Sequence, residues 1–317
     1  MENKSYFTSF ILAGYREMDN LKYLYFTIFL LLYLIIIVAS LFLIGVICVE
    51  RSLHEPMYFF LCNLAVNGLY GSTGLLPSML SHLMSEVHEV SLSCCLAQVF
   101  CLHTYGIAEF TILALMGYDR YVAICYPLQY NSIMSPLRVY TLITFSWLYP
   151  ICSFSIFFIS TARLTFCGRV LEKVYCTNHS VVKLSCEDTS IINIVGLVGI
   201  SFTIVPQLLM LLYSYAQILI ICLKSSRQSQ VKALKTCTPH IVAVVNYSVG
   251  CLFEIIHSRF NMSHAPSAVR IVLALYFLIF PPLINPLIYG ISIQAVRVKV
   301  IQILLKRKTV PETVIIK

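Results

Sequence analysis

The chain has 317 residues, 59% of them hydrophobic and only 11% charged, against about 25% charged in soluble proteins. With a mean hydropathy of +0.84, this excludes soluble, disordered, collagenous and small disulfide-scaffold classes and leaves an integral membrane protein. The net charge of +8 does not mark a nucleic-acid binder, because the basic residues fall in short segments between apolar runs.

In chain order, residues 1–22 are polar, carry Lys4, Arg16 and Lys22, and contain no short apolar core with a cleavage site. No removable signal peptide is expected, and the first apolar run serves as the targeting signal. Seven apolar runs follow, at 23–49, 57–80, 95–124, 139–161, 192–223, 234–258 and 268–291. Each is long enough as a helix to cross about 30 Å of hydrocarbon. The alternating strands of an outer-membrane barrel do not occur.

The segments 50–56, 125–138 and 224–235, the tail after 291 and Arg120 hold 13 of the 22 Lys and Arg. The positive-inside rule then predicts an extracellular N-terminus and a cytoplasmic C-terminus in a multi-pass plasma-membrane protein. The sequons at Asn3, Asn178 and Asn261 all fall on the predicted outer side. The expected fold is all-α: an extracellular segment over 1–22, a seven-transmembrane bundle over 23–291, and a cytoplasmic part over 292–317. Within that part, 292–308 spaces apolar and basic residues as an amphipathic helix on the inner leaflet, with Lys306, Arg307 and Lys308 toward lipid headgroups.

Most of the 13 cysteines lie inside spans, but Cys94, Cys95, Cys167, Cys176 and Cys186 fall on the outer side. Disulfides form there; five is an odd number, and spacing leaves the pairing open. Cys94, Cys95, Cys101 and His103 lack the second ligand pair of a zinc site, so no metal is expected.

The third span carries the most informative charges. Glu109 and Arg120 are eleven residues apart, which puts them on one helix face about 16 Å apart along the axis. Charges within a span are costly and are paired or functional. Glu109 is thus a tie between helices or a switch, and Asp119-Arg120 is a snorkelling pair or a latch facing an intracellular partner. Near the outer ends, His103, Glu254, His257, Arg259, His264 and Arg270 are placed to ring a polar mouth, with His103 deep enough for a cavity. Pro206, Pro281, Pro282 and Pro286 mark kinks, and Asn285 offers an amide to freed backbone groups. No esterase elbow, zinc-protease motif, P-loop or dinucleotide glycine pattern occurs in the sequence, so no enzymatic activity is expected.

Met116-Gly117-Tyr118-Asp119-Arg120-Tyr121-Val122-Ala123-Ile124-Cys125-Tyr126-Pro127-Leu128 and Asn285-Pro286-Leu287-Ile288-Tyr289 resemble the signatures of rhodopsin-type G-protein-coupled receptors. The first is closer still to the olfactory receptor motif MAYDRYVAICxPLxY. Leu53-His54-Glu55-Pro56-Met57-Tyr58-Phe59-Phe60-Leu61, Ser214-Tyr215 and the run from Lys232 to His240 resemble further motifs of that family. With its LCNLAVNGLYG run and its departures from the family pattern, the chain resembles the fish or aquatic branch.

The resemblance implies an odorant receptor that binds a small molecule and activates a heterotrimeric G protein of the stimulatory, olfactory type, raising cyclic AMP without a cofactor. It implies disulfides Cys95–Cys176 and Cys167–Cys186. It implies a pocket of Leu102, His103, Gly106, Ile107 and Gly199, with Thr203, Ser248, Cys251, Ile255 and Leu278. It assigns coupling and activation to Asp119, Arg120, Tyr121, Tyr215 and His240, with Asn285, Pro286 and Tyr289. Three positions depart from the family. Ser40 replaces an Asn, and Gly68, with Asn67 beside it, replaces an Asp that joins the third-span Glu in an ion pocket. Tyr247-Ser248-Val249 replaces FYG, so the aromatic beneath the ligand is displaced or missing. The rival readings are a rhodopsin-type receptor for another ligand and a small transporter, although no internal repeat is present.

Overall fold

The computed structural model describes residues 8–259, 267–292 and 297. Among them, seven helices are long and apolar enough to cross a membrane. They are α1 (Lys22–Val49), α2 (Pro56–Met84), α3 (Leu92–Cys125), α5 (Pro136–Ala162), α7 (Ser190–Lys224), α8 (Arg227–Arg259) and α9 (Ser267–Ser292). Two short helices join them, α4 (Tyr130–Ile133) and α6 (Asn178–Val182). The bundle makes this a multi-pass membrane protein.

The helix starts follow local chemistry. Glu55 and Ser135 are extended, and Pro56 and Pro136 take the first helical positions, where a missing N–H costs nothing. Ser91 caps α3 by accepting from the Cys94 N–H at 3.2 Å. Pro77, Pro150, Pro206 and Pro239 lie inside helices that continue past them, as neighbouring helices in a bundle allow.

α3 is the hub. Its most apolar stretch is 72% buried, against 17% for α5, and it packs on α2, α5, α7 and α8. The apolar side chains of α1, α5 and α7 that face outward, among them Leu31, Ile156 and Leu212, are exposed on the bundle surface, where lipid replaces water. Close packing at the hub depends on small residues. A Cβ on Gly71 of α2 would lie 2.4 Å from the Tyr105 ring of α3. Gly71→Ala is expected to cost about 1–3 kcal/mol through overpacking. A lowered unfolding midpoint of the detergent-purified protein is the predicted readout; an unchanged midpoint contradicts this contact.

Two features differ from the sequence expectation. The basic segment 224–235, expected to connect the fifth and sixth spans as a loop, is mostly helix: α7 ends at Lys224 and α8 begins at Arg227. The run RQSQVKALK contains no Gly or Pro and favours helix despite its polarity. The polar segment 1–22 is also structured where it is described. Strand β1 (Ser9–Leu12) pairs antiparallel with β2 (Glu89–Ser91) and parallel with β3 (Val170–Leu171). Phe10, Leu12, Tyr15 and Met18 are buried against the bundle. Ser9 and Arg169 both donate to Glu89, and these bonds hold its carboxyl below the usual range. Arg270 of α9 pairs with Glu17 at 2.5 Å. The expected surface helix over 292–308 lies, apart from Ser292 and Arg297, outside the described residues.

Candidate functional site

A cavity of about 280 Å³ opens within the bundle beneath the segment linking α5 to α7. α3 contributes Leu102, His103, Gly106, Ile107 and Phe110, a single face at helical spacing. α7 contributes Gly199 and Thr203, one turn apart, and α8 contributes Tyr247, Cys251 and Ile255. Phe154 and Phe157 of α5 and Phe277 and Leu278 of α9 close the sides. The lining is largely apolar, as in small-molecule sites.

The roof is covalently held. Cys176 is joined to Cys95 at the start of α3, and Cys167 to Cys186 within the linking segment. The Cys176 N–H also donates to Gln98 Oε1 at 2.9 Å. Lys173 reaches Glu254 of α8 at 2.8 Å, and the Tyr175 hydroxyl lies 2.9 Å from Glu254 and 3.0 Å from Ala274 O of α9. The roof is therefore tied to three helices. The floor is aromatic: Tyr247 meets Phe110 edge-on at 4.7 Å and donates to Gly106 O at 2.6 Å.

Below that floor lies Glu109, fully buried. Its two carboxyl oxygens accept from Asn67 Nδ2 at 2.7 Å and Asn285 Nδ2 at 2.8 Å. Asn67 also donates to Tyr105 O at 3.1 Å. Glu109 therefore has two amide partners, although Ser40 and Gly68 stand where the family has its customary ones. Gly68 itself is turned against Pro282, and a Cβ there would lie 3.2 Å from the proline ring. A side chain at Gly68 would crowd Pro282, and Asn67, one residue earlier, supplies the polar group. Both carboxamides turn N–H groups toward the carboxyl. That arrangement meets both carboxyl oxygens with donors.

At the far end of α3, Arg120 is paired with Asp119, with Nε–Oδ2 at 2.9 Å. Asp119 is fully buried and also accepts from the Tyr130 hydroxyl at 2.7 Å. His240 of α8 donates from Nε2 to Leu113 O at 2.9 Å and accepts at Nδ1 from the Tyr215 hydroxyl of α7. α3, α7 and α8 are thus linked two turns below the cavity floor, since His240 and Tyr247 are seven residues apart on α8.

A family model for olfactory receptors matches residues 29–307. The chain belongs to the olfactory receptor family. Human "Olfactory receptor 51I1" is 36% identical over 278 residues, covering 85% of this chain and 86% of the relative. Mouse "Olfactory receptor 5AP2" is 35% identical over 305 residues, covering 96% and 95%. The crystal structure of squid rhodopsin superposes with a TM-score of 0.71 at 18% identity, over 93% of this chain and 84% of that one. That likeness concerns the fold alone.

In this olfactory receptor, Leu102, His103, Gly106, Ile107, Gly199, Thr203, Cys251, Ile255 and Leu278 all line the cavity. Ser248 does not, which corrects the pocket read from the family pattern. Tyr247, Cys251 and Ile255 share a helix face, and Ser248 is rotated about 100° away from it. Of that run, Tyr247 is therefore the aromatic that reaches the cavity. The sequence reading missed Phe154 and Phe157, because α5 carries apolar residues all round and its periodicity does not mark the inward side.

Other predicted residues also find definite places. Tyr121 packs edge-on against Tyr126 and Tyr213. Tyr289 is fully buried, and Pro286 lies within α9 beside Asn285. Of the predicted polar mouth, Glu254 faces the cavity and Arg270 pairs with Glu17. The side chains of His257, Arg259 and His264 lie outside the described ones. Among the sequons, Asn178 begins α6 and lines the cavity; Asn3 and Asn261 lie outside the described residues.

Proposed function

We propose that this olfactory receptor is an odorant-gated activator of a heterotrimeric G protein of the stimulatory, olfactory type, raising cyclic AMP. The observation that carries the reading is the roofed, largely apolar cavity on the same helix as Asp119-Arg120. The distribution of Lys and Arg supports a plasma-membrane protein with the N-terminus outside, so the cavity faces the exterior and Arg120 the cytoplasm. Anionic lipid and the G protein then meet the basic segment 224–235 and tail.

The geometry supplies a route. An odorant pressing on Tyr247 biases α8, and the His240–Leu113 and His240–Tyr215 bonds are what an outward swing of its inner end must break. A ligand that prefers the swung arrangement shifts a pre-existing equilibrium toward it. Arg120, Tyr121 and Tyr215 then become available to the partner, and Asn285, Pro286 and Tyr289 allow α9 to follow. Cyclic AMP in cells bearing the receptor at their surface is expected to rise with at least one member of a volatile and water-soluble odorant panel. Silence across the panel, with ligand-driven substrate flux instead, would establish the transporter reading.

A further inference from the structure

We infer that the cavity selects a small neutral alcohol, a ligand that donates a hydrogen bond, over an aldehyde, ketone or amine of the same length. This rests on the odorant-receptor reading, and it follows from where the cavity's protons already go. Carbonyl oxygens only accept. His103 Nδ1 lies 2.9 Å from Val99 O, so Nδ1 carries the proton and the neutral ring offers Nε2 as a lone pair. The ring is held in that attitude by stacking on Phe154, with centroids 4.5 Å apart.

The hydroxyls repeat the pattern. Thr203 Oγ1 is 3.0 Å from both Gly199 O and Ile200 O, so its one proton is committed to backbone. Tyr247 donates to Gly106 O at 2.6 Å, and Tyr175 bonds to Glu254 and Ala274 O. Each group turns its proton toward protein and leaves lone pairs for a guest. A hydroxyl brings its own proton to such a wall, whereas a carbonyl must first pull one away from an existing bond. The lining carboxamides sit away from this depth: Asn193 is ten residues from Thr203, about 15 Å along α7, and Asn178 belongs to α6 in the linking segment that forms the roof.

Charge and size narrow the class further. Glu254 already faces Lys173 at 2.8 Å, so a cationic amine would bring uncompensated charge into an apolar space. At about 280 Å³, the cavity lies at the small end of ligand sites, which suits a short chain.

The test is thermal stabilisation of the purified full-length receptor by 1-alkanols of roughly four to eight carbons, with the matching aldehydes and amines. The alcohol is expected to half-saturate at a concentration about tenfold lower than the aldehyde of equal length. That ratio should fall toward one in His103→Phe, which keeps the stacking but lacks the acceptor, and decrease in Thr203→Val. Equal or tighter binding of the aldehyde or amine overturns the inference. So does the absence of binding by every alcohol, or an unchanged ratio in both variants. Alcohol binding without any G-protein response overturns the receptor reading and leaves the inference standing.

Discussion

Cys176→Ser is expected to remove most of the receptor from the cell surface, with a loss of about 2–5 kcal/mol in folding stability. The Cys95–Cys176 bridge closes a separation of 81 residues, against 19 for Cys167–Cys186, and longer closures restrict the unfolded chain more. The larger bridge also fastens the cavity roof to the hub helix, and Tyr175 beside it bonds to Glu254 and Ala274 O. Its loss therefore loosens the roof as well as the chain. Cys167→Ser breaks a closure internal to the linking segment and should cost less. Surface labelling and unfolding midpoints of the two variants check the order, and a milder effect for Cys176→Ser contradicts it.

The second large effect is expected at Asn67. Asn67→Leu removes one of the two amides on Glu109 and leaves a fully buried carboxyl oxygen without its donor. With the carboxyl ionised, the lost bond is a charge-assisted one worth about 1.5–3 kcal/mol, and stranding the buried charge puts the cost at or above the top of that range. If the carboxyl is neutral, the loss is nearer the about 1–3 kcal/mol of an unsatisfied polar group. In either case the cost should shrink in Asn67→Leu/Glu109→Leu, where both polar groups are gone. A double-mutant cycle on unfolding midpoints reads the coupling; strict additivity would show that the pair contributes nothing. Since α2, α3 and α9 meet at this carboxyl, Asn67→Leu should also alter basal signalling in the receptor that survives.

The seven spans were legible because a bilayer permits few alternatives: about 20 apolar residues in a row must be a helix. The inward face of α3 was legible too, from the eleven-residue spacing of Glu109 and Arg120. The sheet was not. β1 offers only the short run Phe10-Ile11-Leu12 within a polar segment, which marks no strand by itself, and Glu89 and Arg169, which bond to Ser9, lie 80 and 160 residues beyond it. At two positions the family pattern pointed one residue too far along the chain. Gly68 and Ser248 stand where the family has its polar and aromatic groups, while Asn67 and Tyr247 do the contacting. One residue is about 100° of helix rotation, and only packing against Pro282 and Phe110 decides which residue faces inward. The α5 wall and the roof were illegible for a similar reason, since neither periodicity nor motif says which apolar residues close a cavity.

The central claim is that ligand in the cavity drives nucleotide exchange through the inner end of α3. The most direct measurement is nucleotide exchange on a purified stimulatory G protein by the purified receptor, with and without a ligand that stabilises it. The comparison is between wild type and Arg120→Ala at matched occupancy. The account predicts ligand-dependent exchange in the wild type and its loss in Arg120→Ala with ligand affinity largely retained. Full exchange by Arg120→Ala, or none by the ligand-occupied wild type, would contradict it.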